Sequence, residues 1–199
     1  MAPDIGAYVP LFPAVFGPAG DPSVPLPYHL ADVPVGQSAP LFTAFRRLLA
    51  LPASRLGAPE LLDLVGQPEI ARRLGLDGDA LDHLARLLAG ARAAWGLDPD
   101  FRRALGVPGR EEHTLAWAMD RLATGLLFGD EAEDDVRVLP DGSGLVPVPG
   151  LGADAAPALA ALDHVLQQLA GLRADAAAVL PASEWSRRLE ERLEALFQP

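Results

Sequence analysis

Any chemistry in this chain has to come from its histidines, carboxylates, hydroxyls and arginines. The sequence has no lysine and no cysteine. That excludes a Walker-type phosphate loop, a Schiff-base amine, a thiol nucleophile and a thiolate metal site. Four histidines remain: His29, His83, His113 and His164. None has the i, i+4 partner of an HExxH zinc helix. Two follow an aspartate directly, as Asp82-His83 and Asp163-His164. Neighbouring helical residues do not face each other, so neither pair chelates an ion alone. A metal site would need both pairs on facing helices, and surface or capping roles are the plainer expectation.

The densest run is "EEHTLAWAMDRLATGLLFGD" at 111–130, with His113, Trp117, Asp120 and Arg121 close together. On a helix over 111–128, Leu115, Met119, Leu122 and Leu126 share one narrow stripe. His113, Trp117, Asp120, Arg121 and Thr124 take the roughly opposite side. A helix with an apolar seam and an aromatic–polar second face is expected to be central, packed on one side and tied by hydrogen bonds on the other. No nucleophile stands there with a base and an orienter.

Other motifs are weaker. "GLGADA" (150–155) fits G-x-G-x-x-A, but the prolines of the preceding "VPVP" suit no central strand, and a glycine turn feeding a helix is expected instead. "PDGSGLV" lacks the G-x-S-x-G elbow. The acids of "DEAEDD" (130–135) read as a solvated surface. The pairs Arg46-Arg47, Arg72-Arg73, Arg102-Arg103 and Arg187-Arg188 read as polar helix faces making surface ion pairs, each worth under about 1 kcal/mol.

The elements that must position these residues are mostly helices. Half of the 199 residues are apolar, enough for a buried core. Residues 1–36 are rich in proline and read as an α/β edge: an Asp4 cap, a short helix through "LFPAVFG" stopped by Gly17, a loop, and an extended piece at 26–32. From 37 the texture is helical. Ser38 caps a helix carrying Leu41, Phe45, Leu48 and Leu49 on one face. "GAPELLDLVG" and "QPEIARRLG" are short helices with proline near the start and glycine after the end. A longer helix runs from Asp77 to Trp95-Gly96, then "DPDFRRALG" is another short one. Residues 130–150 are a polar connection with short extended pieces. A long helix spans 154–178, and a last helix, capped by Ser183, presents Leu189, Leu193 and Leu196.

The net charge of −11 opposes a phosphate backbone, so this chain is not expected to bind nucleic acid by itself. No apolar run is long enough for a membrane span and the N-terminus is no signal peptide, so a cytoplasmic setting is expected. No cofactor and no metal are expected.

Pro3-Asp4-Ile5, Leu51-Pro52 with Ser54-Arg55, Trp95-Gly96-Leu97-Asp98, His113-Thr114 with Asp120-Arg121, and Gly125 follow in an order that resembles RecC, the gamma chain of exodeoxyribonuclease V (RecBCD). One local departure is Leu115, where members usually carry a tryptophan. The resemblance implies a segment of a helicase-derived subunit that lacks ATPase motifs. It would begin late in the second lobe of a superfamily 1 helicase (1–36) and continue through its helical insertion (37–199). It implies RecB-like and RecD-like partners, a role in processing double-strand DNA ends, and a response to Chi in the full complex. No catalytic or DNA-contacting residue carries over. Asp4, Trp95, Asp98, His113, Trp117, Asp120 and Arg121 are the structural or interface candidates. The other reading is a free-standing acidic α-helical interaction module; a metal-dependent enzyme built on the Asp-His pairs is the third.

Overall fold

The computed structural model describes residues 8, 11–16, 40–128, 136–138, 142 and 144–197. Asp4, Gly17, the extended piece at 26–32, Ser38 and the acidic run 130–135 lie outside the described residues. The chain divides into two units, Met1–Arg46 and Arg47–Pro199. In the first, α1 (Leu11–Phe16) exposes Leu11 and Val15. Helix α2 (Pro40–Ala50) crosses the division. Its buried positions are Ala44 and Leu48, while Leu41 and Leu49 of the expected face are exposed.

Local signals start the next helices. The carboxylate of Glu60 accepts the Gly57 N–H at 2.8 Å, opening α3 (Ala58–Val65). Pro68 begins α4 (Pro68–Leu74), its fixed φ suiting the first turn. Asp77 caps α5 (Gly78–Gly90) by accepting from Ala80 N–H at 2.8 Å, and Asp98 caps α6 (Pro99–Ala104) by accepting from Phe101 N–H at 2.6 Å.

Three helices stop in the same way. Gly75 (φ 68°) and Gly106 (φ 75°) take the left-handed turn after α4 and α6, and the next N–H closes back on the helix: Leu76 to the Ala71 carbonyl at 2.8 Å, Val107 to the Arg102 carbonyl at 3.1 Å. After α5 the same motif is built on Arg92 (φ 58°), with Ala93 N–H reaching the Leu88 carbonyl at 2.9 Å. The helix therefore ends at Gly90 and does not run to Trp95-Gly96. A left-handed arginine costs about 1–2 kcal/mol, and glycine returns about 0.5–1 kcal/mol of that as chain entropy. Arg92→Gly should accordingly raise the urea midpoint, by the equivalent of about 0.5–1 kcal/mol. A lower midpoint would show that the arginine side chain holds the turn.

Helix α7 (Leu115–Phe128) begins four residues later than its periodicity predicts. Residues 111–114 form a turn instead, with Thr114 N–H donating to the Glu111 carbonyl at 3.0 Å and His113 left-handed at φ 65°. The buried face is also rotated from the expected seam: Leu115, Ala118, Arg121, Leu122, Thr124 and Gly125 are buried, and Met119 and Leu126 only half so.

A two-stranded antiparallel ribbon follows, β1 (Arg137–Val138) and β2 (Gly144–Leu145), with Arg137 opposite Leu145. Gly150 turns the chain at φ 71° into a 3-10 turn (Ala153–Ala155) and then α8 (Ala156–Ala177). Helix α9 (Ala182–Leu196) closes the fold; Pro181 precedes it, and no side chain, Ser183 included, caps it. Its Leu196 is fully buried, whereas Leu189 and Leu193 are half-buried.

The architecture is mainly α. Helix α8 is its axis and packs on α7, α5, α9 and the 3-10 turn Leu51–Ala53. Leu159, Leu162, Val165, Leu166, Leu169 and Leu172 are all buried along it, so it is covered on more than one side. Burying each such side chain contributes roughly 1.5–3 kcal/mol. Among the described residues no helix is long and apolar enough to cross a membrane.

Candidate functional site

The chemistry-bearing residues gather where α5, α6 and α7 meet. The first turn of α7 has N–H groups with no helical acceptor. The run Trp95-Gly96-Leu97-Asp98 supplies acceptors: Leu115 N–H donates to the Gly96 carbonyl and Ala116 N–H to the Leu97 carbonyl, each at 2.9 Å. Buried Thr114 accepts the Trp117 N–H on Oγ1 at 3.2 Å. In return the His113 carbonyl accepts from Ala94 N–H at 3.0 Å and Trp95 N–H at 3.3 Å. The two segments cap each other, which is why they belong together.

Arg102 locks that junction. It is 6% exposed, and its guanidinium donates to the carbonyls of Arg110 at 2.6 Å, Glu112 at 2.9 Å and Trp95 at 2.9 Å. Burial lowers its basicity and the nearby Glu112 charge raises it. The Trp95 ring is flanked by two guanidiniums, those of Arg55 and Arg102, each 4.7 Å from its centroid. Gly96 is left-handed at φ 79°, and a Cβ there would sit 3.2 Å from the Arg102 Cγ. Arg102→Lys keeps the charge but loses the planar fork. It should lower stability by about 1.5–2 kcal/mol, read as a drop in the urea midpoint.

Asp98 does two jobs. Besides capping α6 it accepts from the Arg173 guanidinium of α8 at 3.2 Å, and Arg173 also lies 5.1 Å over the Phe101 ring. His113 is exposed; its Nδ1 bonds the Arg92 carbonyl at 2.9 Å and its ring meets Trp117 edge-on at 5.2 Å. Arg121 is buried, stacks 4.8 Å from Trp117, and donates to the carbonyls of Val146 at 2.6 Å and Ala91 at 2.9 Å. The structure thus brings Trp95, Asp98, His113, Trp117 and Arg121 into one hydrogen-bonded junction. Asp120 is exposed, and its backbone carbonyl accepts from Thr124 Oγ1 at 2.7 Å. Asp4 lies outside the described residues.

A second polar cluster joins α8 to α9. Asp175 is 3% exposed and is paired with Arg188 and Arg192. Arg192 is also buried and donates to the Gln168 carbonyl at 2.9 Å, in the space that Gly171 leaves open. Glu184 receives Arg187 at 2.6 Å and Arg188 at 2.7 Å. Burial pushes the Asp175 carboxyl up, but hydrogen bonds from Arg192 and Arg188 and their charges outweigh it and leave it below its usual range. Hydrogen bonds from Arg187 and Arg188 bring Glu184 down to about 2.

The expectation that the arginine pairs lie on polar faces fails at Arg102, which is buried, and at Arg188, which reaches a buried carboxylate. Arg192 and Asp175 were not singled out by the sequence, and Thr114 was marked by the resemblance but not as a cap. One usable signal was present: Arg102 follows the buried Phe101 in a helix too short to have a wide polar face. The Asp-His pairs do not converge. His164 Nε2 bonds the Ala195 carbonyl at 3.2 Å, and among the described residues no group of three or more His, Asp or Glu side chains is placed to hold a metal. The polar groups of the junction organise backbone.

Residues 38–199 match the family model for the fourth domain of the RecBCD enzyme subunit RecC. This chain belongs to the RecC family. The RecBCD enzyme subunit RecC of Escherichia coli K12 is 32% identical over 201 residues, which cover 100% of this chain and 17% of that one. RecC of Mycobacterium tuberculosis H37Rv is 32% identical over 182 residues, 87% of this chain and 16% of its own length. RecC of Mycolicibacterium smegmatis is 30% identical over 220 residues, 98% of this chain and 19% of its own length. The chain therefore spans less than a fifth of the curated relatives it matches. Within this RecC-family fold, the Trp-Gly-Leu-Asp and His-Thr runs are the two halves of one capped junction. Leu115, at the position where the resemblance leads one to expect tryptophan, is fully buried.

Proposed function

We propose that this chain works as a non-catalytic scaffold segment of a RecC-type subunit, in a complex with RecB-like and RecD-like chains that processes double-strand DNA ends in recombinational repair. Residues 1–36 are then a remnant of a helicase-like lobe and 37–199 a helical domain inserted in it, and the setting is cytoplasmic. The response to Chi belongs to the full complex. The observation that carries the reading is how the junction uses its polar side chains: Arg102, Arg121 and His113 bond backbone carbonyls of their own chain. Groups committed in this way hold a shape and are poorly placed to turn over a substrate. The charge of −11 supports protein contacts over DNA contacts for this segment.

The test uses the full RecC-type polypeptide assembled with its partner subunits. His113→Ala and Asp120→Ala should leave ATP-dependent nuclease turnover per assembled complex within about twofold, a change of under about 0.5 kcal/mol in barrier. A large loss of turnover in complexes that still assemble would assign chemistry to this segment. Filter binding of the chain to duplex ends should show no retention at moderate salt; tight binding there would overturn the electrostatic argument.

A further inference from the structure

We draw no further inference here: the strongest candidate, the exposed apolar end of α7 at Leu127 and Phe128, where Arg137 of the β-ribbon lies over the Phe128 ring, has nothing in the structure to show what covers it.

Discussion

Replacing Asp175 with alanine should cost the fold about 3–5 kcal/mol, the range for removing one partner of a buried ion pair. The carboxylate is the anion that lets Arg192 lie buried between α8 and α9, and it also receives Arg188. Without it a guanidinium stays in the interior with its charge uncompensated. Equilibrium urea unfolding should show the loss. A second variant separates charge from packing: Asp175→Ala combined with Arg192→Met removes both charges and should recover part of the stability. If the single variant is as stable as the parent, the cluster is ornamental.

The same site sets an acid limit. Asp175 and Glu184 both have folded-state pKa values shifted downward, so their contribution is fully present above the ordinary carboxyl range and is lost as pH falls through the folded values. For Glu184 that window runs from 4.5 to about 2. Stability should fall with acidification across it, and the fall should be shallower in Asp175→Ala. An identical acid profile in parent and variant would contradict the assignment.

Gly125→Val should be destabilising by about 3 kcal/mol. The segment after β2 is docked onto α7 by Arg121 at both ends: its guanidinium holds the Val146 carbonyl, and its own carbonyl accepts the Val148 N–H at 3.1 Å. Gly125 lies one turn further along, and the Val148 carbonyl occupies the place of its missing side chain. A Cβ would also meet Leu151 Cδ1 at 3.1 Å. Valine would force the segment off the helix and expose Leu145 and Val148, both now buried. Alanine adds about 1 kcal/mol of helix propensity, so Gly125→Ala should lose less, about 2 kcal/mol. The informative contrast is with an exposed helical glycine, where alanine stabilises. A rise in the midpoint for Gly125→Ala would show that the docked segment is not held against α7.

Part of the site is legible in the amino-acid sequence. The resemblance picks out Trp95-Gly96-Leu97-Asp98, His113-Thr114, Arg121 and Gly125, and these are residues of the junction and its support. The helical projection assigns Leu115 and Leu122 their buried places. It fails at His113, because a turn ending in Thr114 displaces the helix start and puts His113 outside it. The expected hydrogen-bonded second face holds at Arg121 and Thr124, both buried, whereas Met119 and Leu126 of the expected seam are only half-buried.

What the sequence determined by itself are features with causes a few residues away: the proline-led starts of α3, α4 and α6, the Asp77 and Asp98 caps, the glycine stops at Gly75 and Gly106, and the exclusion of lysine and cysteine chemistry. What only the tertiary structure decided is the fate of the arginines. An arginine is buried or solvated according to whether carbonyls or a carboxylate are waiting for it. Those of Arg121 come from residues 25 and 30 positions away, and the carboxylate of Arg192 from 17 away. The left-handed Arg92 follows the same logic. Its conformation is held because the chain beyond it must return to the His113 carbonyl and the start of α7. No local pattern encodes a partner at that distance; packing around α8 brings it there.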